Sequence, residues 1–275
     1  MHHIGLIVTG PETAKDFAIF CKTLEVYHPD ATLYVFTDHS TDLSAIKFKG
    51  VINYVYALDA YTGLSRKVME AMPGKHYASL WTDFMYEKVS VLAFMFSKVN
   101  TGLWFMDADI AHMAPLPIIP DTATLALSPH YIRTYDEKLY GKYNGGYLWI
   151  KSPIYLDIWR TAGHTSRFYE QAAMESMAVA ANKELYEFPI QVNFGWWRMY
   201  QSASPSPDIQ SKFSVFRHDA GMGIRYDGAP LQSVHTHWYV NDTSANGMFN
   251  MWIKIFLQRF SKHKPYANFL RTVQC

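Results

Sequence analysis

Cysteine is almost absent: Cys21 and Cys275 are the only two among 275 residues. Two thiols, one inside a helical stretch and one at the terminus, make no disulfide framework, so a reducing compartment is the simpler setting. An excess of charge of either sign is also missing, since 25 Lys and Arg face 24 Asp and Glu. Without a basic field, non-specific nucleic-acid binding has nothing to draw on, and no nucleic-acid partner is expected. No apolar run reaches the roughly 18 residues of a membrane span, and the opening MHHIGLIVTG lacks the basic and long apolar regions of a signal peptide. The expectation is a soluble, cytoplasmic protein of bacterial or viral origin, without a transmembrane segment. What the chain has in plenty is apolar residues, at 49%, and aromatics, at 16% with eight Trp. That suffices for a large core and for rings that stack on flat ligands or sugar faces.

Along the chain, residues 3–9 read as a short apolar strand ending at Gly10-Pro11, followed by a helix over residues 12–27 with Phe17, Phe20, Cys21 and Leu24 on one face. Residues 31–36 and 51–57 are further strands. Strands alternating with a helix at this spacing argue for parallel pairing through right-handed crossovers. Residues 59–75 read as a loop with a short helix and 81–99 as a helix. Residues 124–128 and 147–150 read as strands, and 130–143 as a polar, Tyr-rich mobile loop. A helical region covers 152–182 with a break near Gly163. Residues 188–197 are compact and aromatic, 201–208 are a Ser/Pro-rich excursion, and 232–239 form a late strand. Residues 249–260 form an amphipathic helix flanked by Lys254, Arg259, Lys262, His263 and Lys264. No repeat or low-complexity tract interrupts the chain. The result is one α/β domain over residues 1–275, with a mixed, mostly parallel sheet flanked by helices and a less regular second half.

The densest chemical signal is LWFMDADIAHMAPLP at residues 103–117. An apolar strand stops where Asp107 and Asp109 emerge, and burying a lone carboxylate costs several kcal/mol unless it is paired or bound to a cation. A divalent metal satisfies both carboxylates, because hard cations take oxygen ligands; a turn whose aspartates accept backbone amides is the plainer reading. In open α/β sheets ligands bind at the carboxyl ends of strands. Thr9-Gly10, Thr37-Asp38, Asp107-Asp109, Asn144-Gly145 and His235–His237 all fall at or near such ends. His235 and His237, two apart on a strand, point to one face, and a neutral imidazole could join the two carboxylates on a metal. The alternative is one buried structural histidine and one surface histidine.

The ordered set WFMDADIAHMAPLP, YNGGYLWIKSP, FYEQAAM, YEFPIQVNFGW and SVHTHW resembles the GT-A-fold glycosyltransferases that use nucleotide-diphosphate sugars, nearest to their retaining, glycogenin-like branch. The resemblance covers residues 81–238. It implies a Rossmann-like GT-A fold in which residues 1–117 meet the nucleotide and 118–275 the acceptor. Asp107 and Asp109 would bind Mn²⁺ or Mg²⁺ bridging the donor's phosphates, with His235 completing the shell and His237 in reserve. The donor, a UDP-sugar or alternatively a GDP-sugar, would meet Thr9, Gly10, Asp38, Lys88, Asp107, Asn144 and Gly145. Lys88 could instead pair with Glu87 or Asp83. Glu170-Gln171 stands where the family has Asp-Gln near the reacting sugar, with Gln191 competing for that role. Where glycogenin-like relatives continue past the histidine with Gly and Lys-Pro-Trp, this chain has Trp238-Tyr239-Val240-Asn241-Asp242 and no lysine. A glycan acceptor would stack on Trp196, Trp197, Trp238 and Tyr239, although core packing suits the same rings.

An inverting reaction needs a carboxylate base, for which Glu170, Asp219 and Asp242 are available by type; retention and inversion both stay open. A sugar-1-phosphate nucleotidyltransferase would share fold class and metal but opens with a Gly-rich, basic loop, unlike Gly10-Pro11-Glu12-Thr13. An Asp-x-Asp-x-Thr phosphatase would place its aspartates after the first strand. A non-catalytic sugar-binding protein on the same fold is the alternative from a different class.

Overall fold

The computed structural model describes residues 1–199, 207–218 and 221–258. Its centre is a seven-stranded sheet. The strands are β1 (His3–Ile7), β2 (Thr32–Thr37), β3 (Val51–Tyr56), β4 (Leu103–Met106), β6 (Leu125–Pro129), β7 (Tyr143–Ile150) and β8 (Leu185–Glu187), ordered β3-β2-β1-β4-β7-β6-β8. The short β5 (Ile110–His112) lies outside it. Four of the pairings are parallel, and β7 runs antiparallel to both β4 and β6. The mostly parallel α/β sheet expected from the sequence is present. Every residue of β2 is buried, as a strand covered on both faces requires, whereas β3 is partly exposed along its length and forms the edge.

Helix α1 (Gly10–Tyr27) starts directly off β1, with a proline in its first turn where the missing N–H costs nothing. After α2 (Arg66–Ala71) comes α3 (Leu80–Phe96), capped by Ser79, whose side chain accepts from the Thr82 amide at 3.2 Å. Side chains of β4 alternate between two cores. Leu103 and Phe105 join the α3 side, and Trp104 and Met106 join Phe17, Phe20 and Leu24 of α1. Each such burial contributes about 1.5–3 kcal/mol, and together they fix where the strand must end, just before Asp107.

The Tyr-rich stretch 130–143, read from sequence as a loop, contains α4 (Thr134–Tyr140), a helix with no buried residue and hence no apolar stripe to betray it. The helical region beyond it is broken as expected, into α5 (Ile154–Gly163) and α6 (Met174–Ala181). A small sheet then joins distant parts of the chain. It pairs β5 with β13 (Ser233–His235), and β13 with β9 (Phe194–Gly195). The late strand is thus shorter than expected, ending at His235. A hairpin sheet of β10 (Phe213–His218), β11 (Gly221–Tyr226) and β12 (Ala229–Pro230) packs with the small sheet and a C-terminal helix, Ala245–Gln258. Most of the Ser/Pro-rich excursion, Asp219, the basic residues Arg259, Lys262, His263 and Lys264, and Cys275 lie outside the described residues. Among the described residues no helix is long and apolar enough to cross a membrane.

Candidate metal and sugar-nucleotide site

Asp107 and Asp109 emerge between β4 and β5 at the carboxyl edge of the central sheet. Two features bring partners to them. First, the register of β6 against β7 jumps between Leu127 and Ser128, so that residues of Asn144-Gly145-Gly146 bulge out beside β4. Asp107 donates its amide to the Gly146 carbonyl at 2.8 Å, and a Cβ at Gly146 would overlap both Asp107 Oδ2 and His235 Cε1. Only glycine leaves the carboxylate and imidazole that room. Second, β13 pairs His235 with Ile110, and the Thr236 amide donates to the Asp109 carbonyl at 3.0 Å. The small sheet thereby carries His235 next to the aspartates.

Asp107, Asp109 and His235 each direct one ligand atom into a common space, all within 4.8 Å of one another. His235 Nε2 lies 3.0 Å from Asp109 Oδ1 and 3.9 Å from Asp107 Oδ2. Adjacent ligands of an octahedral cation at about 2.1 Å stand about 3 Å apart, so two carboxylate oxygens and one imidazole nitrogen fit a divalent metal in both type and spacing. The other ring nitrogen, His235 Nδ1, is 2.7 Å from Asn193 Oδ1. The Asn193 amide nitrogen donates to Ser128 Oγ and to Asn144 Oδ1, both at 3.0 Å, which leaves its oxygen as the acceptor. His235 must then carry its proton on Nδ1 and present a lone pair on Nε2 to the metal position. Asn193, a residue the sequence reading passed over for Gln191, is buried and left-handed at φ +54°. That conformation is better tolerated by asparagine than by most residues. Gln191 turns away, its amide nitrogen donating to the Tyr226 carbonyl at 2.8 Å.

His237 lies past the strand end and plays a different part. Its Nδ1 sits 3.0 Å from Asp16 Oδ2 on α1 and 3.4 Å from Asp109 Oδ2, while its side chain stays 60% exposed. Asp16, which the sequence reading missed, also accepts from the Trp238 amide at 3.2 Å. In the metal-free chain, Asp109 and then the Asp16 hydrogen bond push His237 up to about 9. Burial pushes Asp16 up to about 6, outweighing the hydrogen bond from His237. For Asp109 burial acts upward too, but His235 and His237 more than offset it and hold the carboxyl far below its usual range.

Lys88 enters from α3 and is buried. Its ammonium meets Glu170 Oε1 at 2.8 Å, the Gly145 carbonyl at 3.1 Å and Asp107 Oδ1 at 3.4 Å, so all three N–H groups are directed at oxygens. The sequence neighbours proposed as partners are engaged elsewhere: Asp83 accepts backbone amides of residues 75–77, and Glu87 accepts from Tyr61 at 3.0 Å. Burial would lower the Lys88 pKa, but Asp107 and Glu170 outweigh it and hold the amine charged. Glu170 is also buried, and the Oε1 of its neighbour Gln171 accepts from Asn144 Nδ2 and the Gly145 amide, both at 3.3 Å.

Beyond Gln171 and Asn144 opens a cavity of about 450 Å³ whose walls include His130, Tyr140, Trp196 and Trp197. Trp197 stands edge-on to His235 at 5.0 Å between ring centroids. Trp238, expected beside them, is fully buried and has no exposed face. At the other flank, Asp38 is buried. Its carboxylate accepts from the Ser40 amide at 2.9 Å and from Thr41 Oγ1 at 2.6 Å, and Thr41 Oγ1 in turn accepts the Gly10 amide at 2.7 Å. Asp38 thus ties the second strand end to the Thr9–Gly10 turn, where Gly10 takes φ +79° and α1 begins.

No protein-family model matches the chain, and no curated protein matches it in sequence. Solved structures do. The galactosyltransferase LgtC, in complex with donor and acceptor sugar analogues, aligns over 99% of this chain and 95% of its own at 11% identity and a TM-score of 0.52. An active-site mutant of LgtC aligns over 91% and 94% at 13% identity and a TM-score of 0.50. Mouse xyloside xylosyltransferase 1 in its apo form covers 74% of this chain and 91% of its own at 12% identity and a TM-score of 0.45. The sheet order, the helices on both its faces and the alignment with LgtC along nearly the whole chain give this protein the GT-A glycosyltransferase fold.

Proposed function

We propose that the chain moves a sugar from a nucleoside diphosphate donor, UDP-linked in the first place and GDP-linked as the alternative, to a hydroxyl of a glycan acceptor, with Mn²⁺ or Mg²⁺ as cofactor. The observation that carries this reading is the convergence of Asp107, Asp109 and His235 within 4.8 Å at the carboxyl edge of the sheet, beside the cavity lined by Asn144 and Gln171. An LgtC structure with donor and acceptor sugar analogues on the same fold supports it.

Asp107, Asp109 and His235 would hold the cation, which when bound stabilises the negative charge that builds on the departing diphosphate. The imidazole nitrogen in the set favours Mn²⁺ over the harder Mg²⁺. The nucleotide would lie over residues 1–117, across the Thr9–Gly10 turn that Asp38 braces. Asn144, Gly145 and Gln171 would face the transferred sugar. Lys88 and Glu170 act on this wall from behind, holding Asp107 and the bulge in place. The bond from the anomeric carbon to the diphosphate breaks with its electron pair on the diphosphate. The acceptor oxygen supplies the pair of the new bond, and its proton leaves to the released diphosphate. Trp196 and Trp197 would form the acceptor wall within residues 118–275, their rings covering apolar sugar faces.

Isothermal titration of UDP-glucose, UDP-galactose and GDP-mannose with and without Mn²⁺, followed by assay of nucleoside diphosphate release, tests this. Metal-dependent binding of one of them, lost in Asp109→Asn, is the expected result. The reading fails if none binds, or if Asp109→Asn binds as the wild type does.

A further inference from the structure

Tyr169 directly precedes the pair Glu170-Gln171, and its backbone is left-handed at φ +37°. For a bulky side chain that conformation is strained, and it persists only where surrounding contacts over-determine it. Those contacts come from α2 and from Trp81 at the start of α3. The Tyr169 hydroxyl donates to Glu70 Oε1 at 2.6 Å, and Arg66 reaches the same carboxylate oxygen through Nε at 2.7 Å. The Arg66 guanidinium stands 5.5 Å from the Tyr169 ring centroid and 5.1 Å from that of Trp81, and Trp81 meets Tyr169 edge-on. Met69 is the one buried residue of α2 and joins the α3-side core, while Arg66 and Glu70 reach Tyr169 on the surface.

The residues on either side attach elsewhere. Arg167 donates to the carbonyls of Glu137 and Lys138 at the end of α4 and forks onto Glu175, and Phe168 packs edge-on against Tyr140. Glu170 turns inward, its carboxylate on Lys88 and its carbonyl accepting Trp159 Nε1 at 2.8 Å. Gln171 turns to Asn144 and Gly145. Five consecutive residues therefore join α4, α2, the buried lysine and the sugar-facing wall.

We propose that Tyr169 is a positioning residue: pinned by Arg66, Glu70 and Trp81, it holds the left-handed turn that aims Glu170 at Lys88 and Gln171 at the sugar-facing wall. The kinetic part of this proposal rests on the glycosyl-transfer reading above; the structural part does not. Tyr169→Ala removes the pin, and Glu170 no longer shields Lys88. Acylation of the folded protein with acetic anhydride, followed by peptide mass spectrometry, is expected to label Lys88 at least tenfold faster in Tyr169→Ala than in the wild type. Labelling of the remote Lys22 and Lys183 should not change. With a working donor, kcat is expected to fall tenfold or more while the donor KM stays within threefold. Tyr169→Phe, which keeps the ring contacts with Arg66 and Trp81 but loses the hydrogen bond to Glu70, should fall between Tyr169→Ala and the wild type in both readouts. Unchanged Lys88 labelling in Tyr169→Ala overturns the proposal, and so does a uniform rise across all lysines, which marks general loosening. If the wild type turns over no nucleotide sugar, the transfer reading fails while Lys88 labelling still decides the role of Tyr169.

Discussion

The Nδ1 atom of His235 and the side-chain oxygen of Asn193 lie 2.7 Å apart, and the other hydrogen bonds of Asn193 leave that oxygen no role except acceptor. The asparagine thereby chooses the tautomer that turns the Nε2 lone pair to the aspartates. Asn193→Gly deletes the side chain without adding strain at φ +54°. Loss of such a supporting partner costs about 10–100-fold in metal affinity. Titration of Mn²⁺ by calorimetry or electron paramagnetic resonance should show a decrease of that size in a protein with near-native circular dichroism; unchanged affinity would remove Asn193 from the site.

Gly146 offers a steric test of the same centre. A methyl group there would occupy space held by Asp107 Oδ2 and His235 Cε1, with contacts below the 3.0 Å that real Cβ atoms respect. Either ligand must shift to admit it. Gly146→Ala should abolish Mn²⁺ binding at millimolar metal and cost about 1–3 kcal/mol of stability through overpacking. Full Mn²⁺ affinity in this variant would mean that the ligands do not converge where the aspartates and histidine meet.

Lys88 and Glu170 test whether the buried pair acts as a unit. Both are nearly free of solvent, at 4% and 3% exposure. Removing one partner of such a pair leaves an uncompensated buried charge, at a cost of about 3–5 kcal/mol. Lys88→Met should therefore destabilise the chain by that amount in urea unfolding. Lys88→Met combined with Glu170→Gln should be more stable than Lys88→Met alone, because the orphaned carboxylate is gone. A double variant no better than the single one would show that the two charges are not coupled.

The legible parts of the site were those written into local pattern. The apolar run 103–106 ending in two carboxylates announces a strand end with a ligand, and Asn144-Gly145-Gly146 announces irregular backbone beside it. What stayed hidden depends on pairings between distant strands or on backbone handedness. Asn193 acts through a left-handed turn, and Asp16 acts through a helix face that meets residues 237 and 238 only when β13 has docked. Lys88 was expected at the donor, with Glu87 or Asp83 as alternative partners on its own helix; the fold instead brings Asp107 and Glu170 to it from other parts of the chain. Trp238 looked like a stacking surface because a tryptophan at a strand end carries no mark of which way it faces. The alternation that placed His235 beside the aspartates stops at that residue, where β13 ends, so His237 does not follow it onto the same face.

Acid should unfold the chain through histidines outside the metal set. Burial lowers His112 to about 3, with His28 adding to the effect, and burial lowers His130 to about 4. Both are neutral in the folded chain, whereas an unfolded histidine takes up its proton near pH 6.5. Below that pH the unfolded state binds more protons, so stability rises with pH and is lost as pH falls from 6.5 toward 4 and 3. Each titrating histidine contributes a slope approaching about 1.4 kcal/mol per pH unit across that window. His112 packs edge-on against Phe20 at 4.9 Å between centroids, a position phenylalanine fills with similar shape. In His112→Phe the urea-derived unfolding free energy should lose about one histidine's slope between pH 6 and 5 and keep its value at pH 8 within about 1.5 kcal/mol, the range for a volume-conserving swap. Wild type and variant losing stability in parallel from pH 6 to 5 would show that His112 is protonated in the folded chain.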